Sequence, residues 1–152
     1  MSREFNSEVK TIHLLLKSSR WAREPEMPAI LEEYERMRDA GLVQSKEKKA
    51  ALQILFSCRA IDSFLSMVRK WDCVRSGRQI PQYSTIERSL NYIESHGIDG
   101  HKLDSRTAKN LEINITKKRN RYLHAAGTFP SWLEMQTFIA STINGLRAIS
   151  RL

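Results

Sequence analysis

At 152 residues, 41% of them hydrophobic, the chain is long enough to bury one core and too short for two domains, so residues 1–152 are read as a single unit. Lys and Arg outnumber Asp and Glu by 25 to 17, and the resulting charge of +8 favours a polyanionic partner whose hold weakens as salt rises. No run approaches the roughly 18 uninterrupted apolar residues of a membrane span, and the start Met1-Ser2-Arg3-Glu4 lacks a secretory apolar stretch. The expectation is a cytoplasmic protein with no membrane partner.

From about Glu8 to Trp21, Val9, Ile12, Leu15 and Leu16 recur at helical spacing, with His13 among them as a packing or surface residue. Pro25 and Pro28 break the chain, and Pro28 suits the first turn of a second helix that ends at Ala40 before Gly41. It carries Ile30, Leu31, Tyr34 and Met37 on one side, with Glu32, Glu33, Glu35 and Arg36 elsewhere. Ser45 opens the longest predicted helix, which continues to about Arg75. Two apolar rows run along it: Ala51, Ile54, Cys58, Ile61, Leu65 and Val68, and beside them Phe56, Ala60, Phe64, Met67, Trp71 and Val74. A helix apolar over so wide an arc is packed on two sides, which makes this one the centre of the fold. Cys58 and Cys73 lie about 22 Å apart along it at 1.5 Å per residue and cannot bridge within it, as suits a reducing compartment.

After a loop over residues 76–84, Ser84-Thr85-Ile86-Glu87 reads as a capping box for a helix with Ile86, Leu90 and Ile93 on one stripe and Gly97 as its stop. Asp99-Gly100 marks a turn, and Asp104 or Ser105 caps the next helix, whose buried stripe is Ala108, Leu111, Ile115 and Tyr122. Beyond a break at Gly127 to Pro130, Ser131 and Glu134 form a second capping box, opening a last helix with Leu133, Phe138, Ile143 and Leu146 among its apolar residues. The fold class is therefore all-α: a single-domain bundle of five or six helices around a long central one.

Within this frame Arg119-Asn120-Arg121-Tyr122-Leu123-His124 places a fixed cation, an amide and a titratable imidazole within two turns. Arg pairs with phosphate oxygens, Asn orients a donor or acceptor, and His moves a proton near neutral pH, so the set suits a phosphodiester. With 15 Arg and four His, a bare Arg-x4-His is common by chance, and requiring Asn after the Arg lowers the expectation to roughly 0.02 per chain. The same cations, Lys117, Lys118, Arg119 and Arg121, also suit the negative end of a helix dipole. There is no Gly-rich phosphate loop, no His-Glu-x-x-His, no Cys-x-x-Cys and no close His pair, so no cofactor and no metal site is expected.

The pattern Arg119-Asn120-x-x-x-His124, closing a helix in a small helical domain, resembles the HEPN family (higher eukaryotes and prokaryotes nucleotide-binding), many of whose members are metal-independent ribonucleases acting as dimers. The resemblance covers the motif and the helical layout. It implies that Arg119 and His124 are a catalytic pair and that Asn120 matches the polar residue often found after the Arg. It also implies a homodimer, an RNA substrate, and a toxin or defence role with an antitoxin or other protein partner. Some toxin members carry a modifiable Tyr two residues after the His; this chain departs from them with Ala126.

On a straight helix Arg119 and His124 lie about 140° apart, whereas Asn120 and His124 share a face. Either the helix ends or bends near His124, or a two-fold partner completes the cleft. Lys117, Lys118 and Arg121 would then guide an RNA strand. Two alternatives stay open: a basic helical module that binds RNA or a protein without cleavage, and a structural adaptor without nucleic-acid affinity.

Overall fold

The computed structural model describes residues 2–117, 120–121 and 132–152, and among them the chain forms six α-helices joined by turns. These are α1 (Ser2–Lys17), α2 (Met27–Ala40), α3 (Lys46–Ser76), α4 (Ile86–His96), α5 (Ser105–Leu111) and α6 (Trp132–Ile149). A π-helical segment, Glu112–Lys117, continues α5 directly. The pairing of Ile98 with His101 is an isolated bridge and no strand forms among the described residues, so the architecture is all-α.

α3 is central because it is apolar on two sides. Ile54, Cys58, Ala60, Ile61, Phe64, Leu65, Met67 and Val68 are all buried, and α2, α4 and α6 pack around them. Each large apolar side chain buried here contributes about 1.5–3 kcal/mol relative to an exposed one. The second row gives out at its end, where Trp71 is half-buried and Val74 is exposed. The Ser45 hydroxyl caps the helix by accepting the Lys48 N–H, and Gly77, at φ 69°, ends it in the left-handed region where a glycine is unstrained. By length and composition residues 48–76 also suffice to cross a membrane, and more than half of the qualifying stretch is buried within the bundle.

α1 begins at Ser2, earlier than its apolar periodicity, and stops at Lys17, before the predicted Trp21. The reason is local: the Ser18 and Ser19 hydroxyls bond back to the carbonyls of Leu14, Leu15 and Leu16, which favours a turn over further helix. Trp21, now off the helix, is buried edge-on against Phe64 and Trp71. α2 differs from expectation at Glu33, which is buried and paired with Arg36 at 3.0 Å and Arg59 at 2.8 Å. At α4 the capping side chain is Thr85, accepting the Arg88 N–H at 3.1 Å, while Ser84 instead bonds Ser89 at 2.8 Å. Leu133 is a further departure, 72% exposed on a helix where Phe138 and Leu146 are buried. Cys58 and Cys73 are both buried thiols.

Candidate functional site

The helix that leads to the motif is fixed at its start by Asp104, whose carboxylate accepts the Thr107 hydroxyl at 2.7 Å and the Thr107 N–H at 2.8 Å. Those hydrogen bonds hold the Asp104 carboxyl below its ordinary range, since they favour the charged form. Ala108, Leu111 and Ile115 form the buried stripe predicted for this helix. It packs on α6, where Gly145 lets Leu111 approach so closely that a Cβ at Gly145 would run into the leucine side chain, 3.2 Å from its Cγ.

Beyond Leu111 the helix widens into the π form over Glu112–Lys117. Ile113, Ile115 and Thr116 are β-branched and crowd an ordinary α-turn, and π segments recur at functional sites. Hydrogen bonding over five residues in place of four shifts which side chains share a face. The shift applies to the residues within the segment, and residues 119 and 124, to which the 140° separation refers, lie beyond it.

Of the predicted site residues, Lys117 closes the π segment and is exposed, and Asn120 and Arg121 are helical and exposed. Lys118, Arg119 and His124 lie outside the described residues, as do Tyr122 and the Ser131 half of the second capping box. Arg121 is brought to Glu134 of α6, Nη1 to Oε2 at 3.8 Å. The pair is solvent-exposed on the Arg side and is worth at most about 1 kcal/mol. Its interest is positional, because it sets the start of α6 beside the motif.

Other ionisable groups were not legible as a set. His13 is buried against α2, its Nε2 3.9 Å from Glu35, and its pKa is lowered by burial and then by Lys17 and Arg38, with Glu35 opposing. Asp72, Tyr92 and Arg78 form a network at the end of α3. A shallow groove of about 380 Å³ lies between α2 and α3, lined by Glu26, Ile30, Asp62, Ser66, Met67 and Lys70 among others, and it includes no residue of the α5 segment. Among the described residues no three His, Cys, Asp or Glu side chains gather as a metal site would require.

Comparison of the chain with protein-family models, with curated proteins and with solved structures finds no match.

Proposed function

We propose that the chain is a metal-independent endoribonuclease of the HEPN type, acting as a two-fold dimer whose cleft contains the motif of both chains. The observation that carries this reading is the exposed, helical Asn120-Arg121 pair, which follows within three residues a segment anchored in the core by Leu111 and Ile115. A phosphodiester-handling residue needs such a placement, with its polar groups in solvent and its backbone anchored in a core. Exposed apolar side chains on both neighbouring segments, Ile113 and Leu133, support the dimer, since an interface would cover them.

In the cleft a neutral His124 takes the proton of the ribose 2′-hydroxyl, and the freed oxygen attacks the adjacent phosphorus. The bond to the 5′-oxygen breaks, and that oxygen leaves with a proton from an acid, the second His124 of the dimer. Arg119 stabilises the charge developing on the phosphoryl oxygens, a role for which one positioned donor supplies about 3 kcal/mol. Asn120 orients the phosphate or the imidazole, while Lys117, Lys118 and Arg121 guide the strand. The products are a 2′,3′-cyclic phosphate and a 5′-hydroxyl. A cytoplasmic toxin or defence effector, restrained by an antitoxin, is the setting that fits such an activity.

Incubation with labelled RNA in chelator tests the reading. Cleavage of RNA and not of DNA, with cyclic phosphate ends, is expected, because the nucleophile is a group that DNA lacks. A requirement for magnesium, cleavage of DNA or 5′-phosphate products would defeat it. Tight RNA binding without cleavage would leave the non-catalytic basic module.

A further inference from the structure

At the C-terminal end of α3, guanidinium groups are laid on aromatic rings. The Arg75 Cζ stands 4.6 Å from the Trp71 ring centroid. Arg20, in the turn after α1, stands 5.3 Å from the same ring and 4.5 Å from Trp21, and the two indoles meet edge-on at 5.0 Å. Arg69 and Arg78 face the Tyr92 ring at 5.3 and 5.9 Å.

The acids at this end are already engaged. Asp72 is buried and accepts from Tyr92, Arg78 and the Asp99 N–H, and Asp99 pairs with Arg20 at 3.1 Å. Arg20 also donates to the Leu152 carbonyl. Arg20 and Arg78 are thereby structural, whereas Arg75 is exposed and rests on the half-buried Trp71. A guanidinium seated on an indole has already given up much of its rotamer freedom, and its planar N–H edge still suits an oxyanion. The loop that follows adds Tyr83, 74% exposed, as a ring on which a base can stack.

We propose that this end of the bundle, centred on Arg75 and Trp71, binds the phosphate backbone of a single-stranded nucleic acid, at a site separate from the 117–124 motif. Four guanidiniums face two engaged carboxylates here, so the local field is positive even within a basic protein. An exposed ring such as Tyr83 beside cations favours an unpaired strand, whose bases are free to stack, over an acidic protein surface. The turn that bonds Asp72 leads into α5, and in the chain the run from Ser105 to Lys117 lies between that turn and the motif. That one strand crosses both regions rests on the ribonuclease reading; the binding itself does not.

The test uses the full chain and fluorescein-labelled oligonucleotides of about 16 nucleotides, one 2′-O-methyl RNA that 2′-hydroxyl attack cannot cleave and one single-stranded DNA. Fluorescence anisotropy should show both bound, with Arg75→Glu weakening both roughly tenfold and lowering the salt slope by about 0.7 for the lost phosphate contact. Arg38→Glu, in the last turn of α2, makes the same charge change away from this site and should cost clearly less. Arg75→Gln should also weaken binding, which guards against misfolding of the charge reversal, and Arg75→Lys should fall between wild type and Gln. Equal losses in Arg75→Glu and Arg38→Glu, or no binding by the wild type, would overturn the site. Displacement by polyglutamate at matched charge would reassign it to an acidic protein and also overturn it. Cleavage of unmodified RNA is scored separately: binding without cleavage removes the ribonuclease and leaves this site, and cleavage with Arg75→Glu binding unchanged does the reverse.

Discussion

The Tyr92 hydroxyl donates to Asp72 Oδ2 at 2.6 Å, and this contact fastens α4 to the end of α3. The other carboxylate oxygen accepts the Asp99 N–H at 2.9 Å, so the turn before α5 hangs from the same side chain. Asp72 is buried, and its loss would strand a phenol and a backbone N–H as well as freeing Arg78. Asp72→Ala should therefore destabilise by about 3 kcal/mol and Tyr92→Phe by about 1.5, read from urea midpoints. Two equal, small losses would mean that the network does not carry the joint. Burial, with the bond to Asp72, pushes the Tyr92 phenol from 10.0 up to about 12. A raised pKa means that this contribution is whole below pH 10 and is lost as pH rises toward 12. The difference in melting temperature between wild type and Tyr92→Phe should shrink over that interval.

His13 has the opposite sign of shift and so the opposite pH window. Its pKa is lowered by burial first, with Lys17 and Arg38 adding to it, so the folded state resists the charge that the unfolded chain accepts near pH 6.5. The unfolded state then binds more protons, and stability should be full above pH 6.5 and fall as pH drops through the lowered value. His13→Gln, which cannot charge, should flatten the acid side of the melting-temperature profile. An unchanged slope in that variant would place the acid sensitivity elsewhere.

At Gly145, α6 meets Leu111 of the helix that leads to the motif. A methyl there gains about 1 kcal/mol of helix propensity but meets the buried Leu111, and overpacking of this kind costs about 1–3 kcal/mol. Gly145→Ala should come out between neutral and about 2 kcal/mol less stable, and Gly145→Val clearly worse. A stabilisation of about 1 kcal/mol by Ala would show that Leu111 yields freely. Leu111 directly precedes the π segment, so in the ribonuclease reading Ala should lower activity more than it lowers stability.

What was readable in the sequence is what short-range rules govern. The Ser45 cap, the Gly97 stop and the rows on α3 as far as Val68 follow from capping, backbone freedom and helical spacing, and they hold in the structure. Glu33 was misplaced because its burial is decided by Arg59 on another helix, 26 residues away, which no local pattern reports. Asp72 and Tyr92 are 20 residues apart, so no local pattern joins them either. The π segment was also hidden, although its β-branched residues could have signalled a weak α-helix. The motif was legible as chemistry, as a spacing of side-chain types, while its angular register was not.

Which chain supplies which group is therefore the sharpest test of the proposed mechanism. Arg119→Ala and His124→Ala should each abolish cleavage with little loss of stability, as a place in the proposed cleft requires, since surface substitutions cost at most about 0.5 kcal/mol. In a mixed dimer of the two variants, one chain keeps only His124 and the other only Arg119. If the pair works across the interface, that dimer holds one productive combination, and co-expression with two different tags should recover partial activity from two dead parents. On a straight helix the two residues point about 140° apart, which favours action in trans. A pair brought onto one face within a single chain, by a bend or end of the helix between them, would leave the mixture inactive even with exchange proven. A scheme that needs both imidazoles, one as base and one as acid, limits recovery to a fraction of wild type because the mixed cleft holds a single His124. The wild-type rate should then peak between two apparent pKa values near neutrality, and the mixed dimer should lose one limb of that profile. Full activity in either single variant would remove the catalytic assignment of Arg119 and His124.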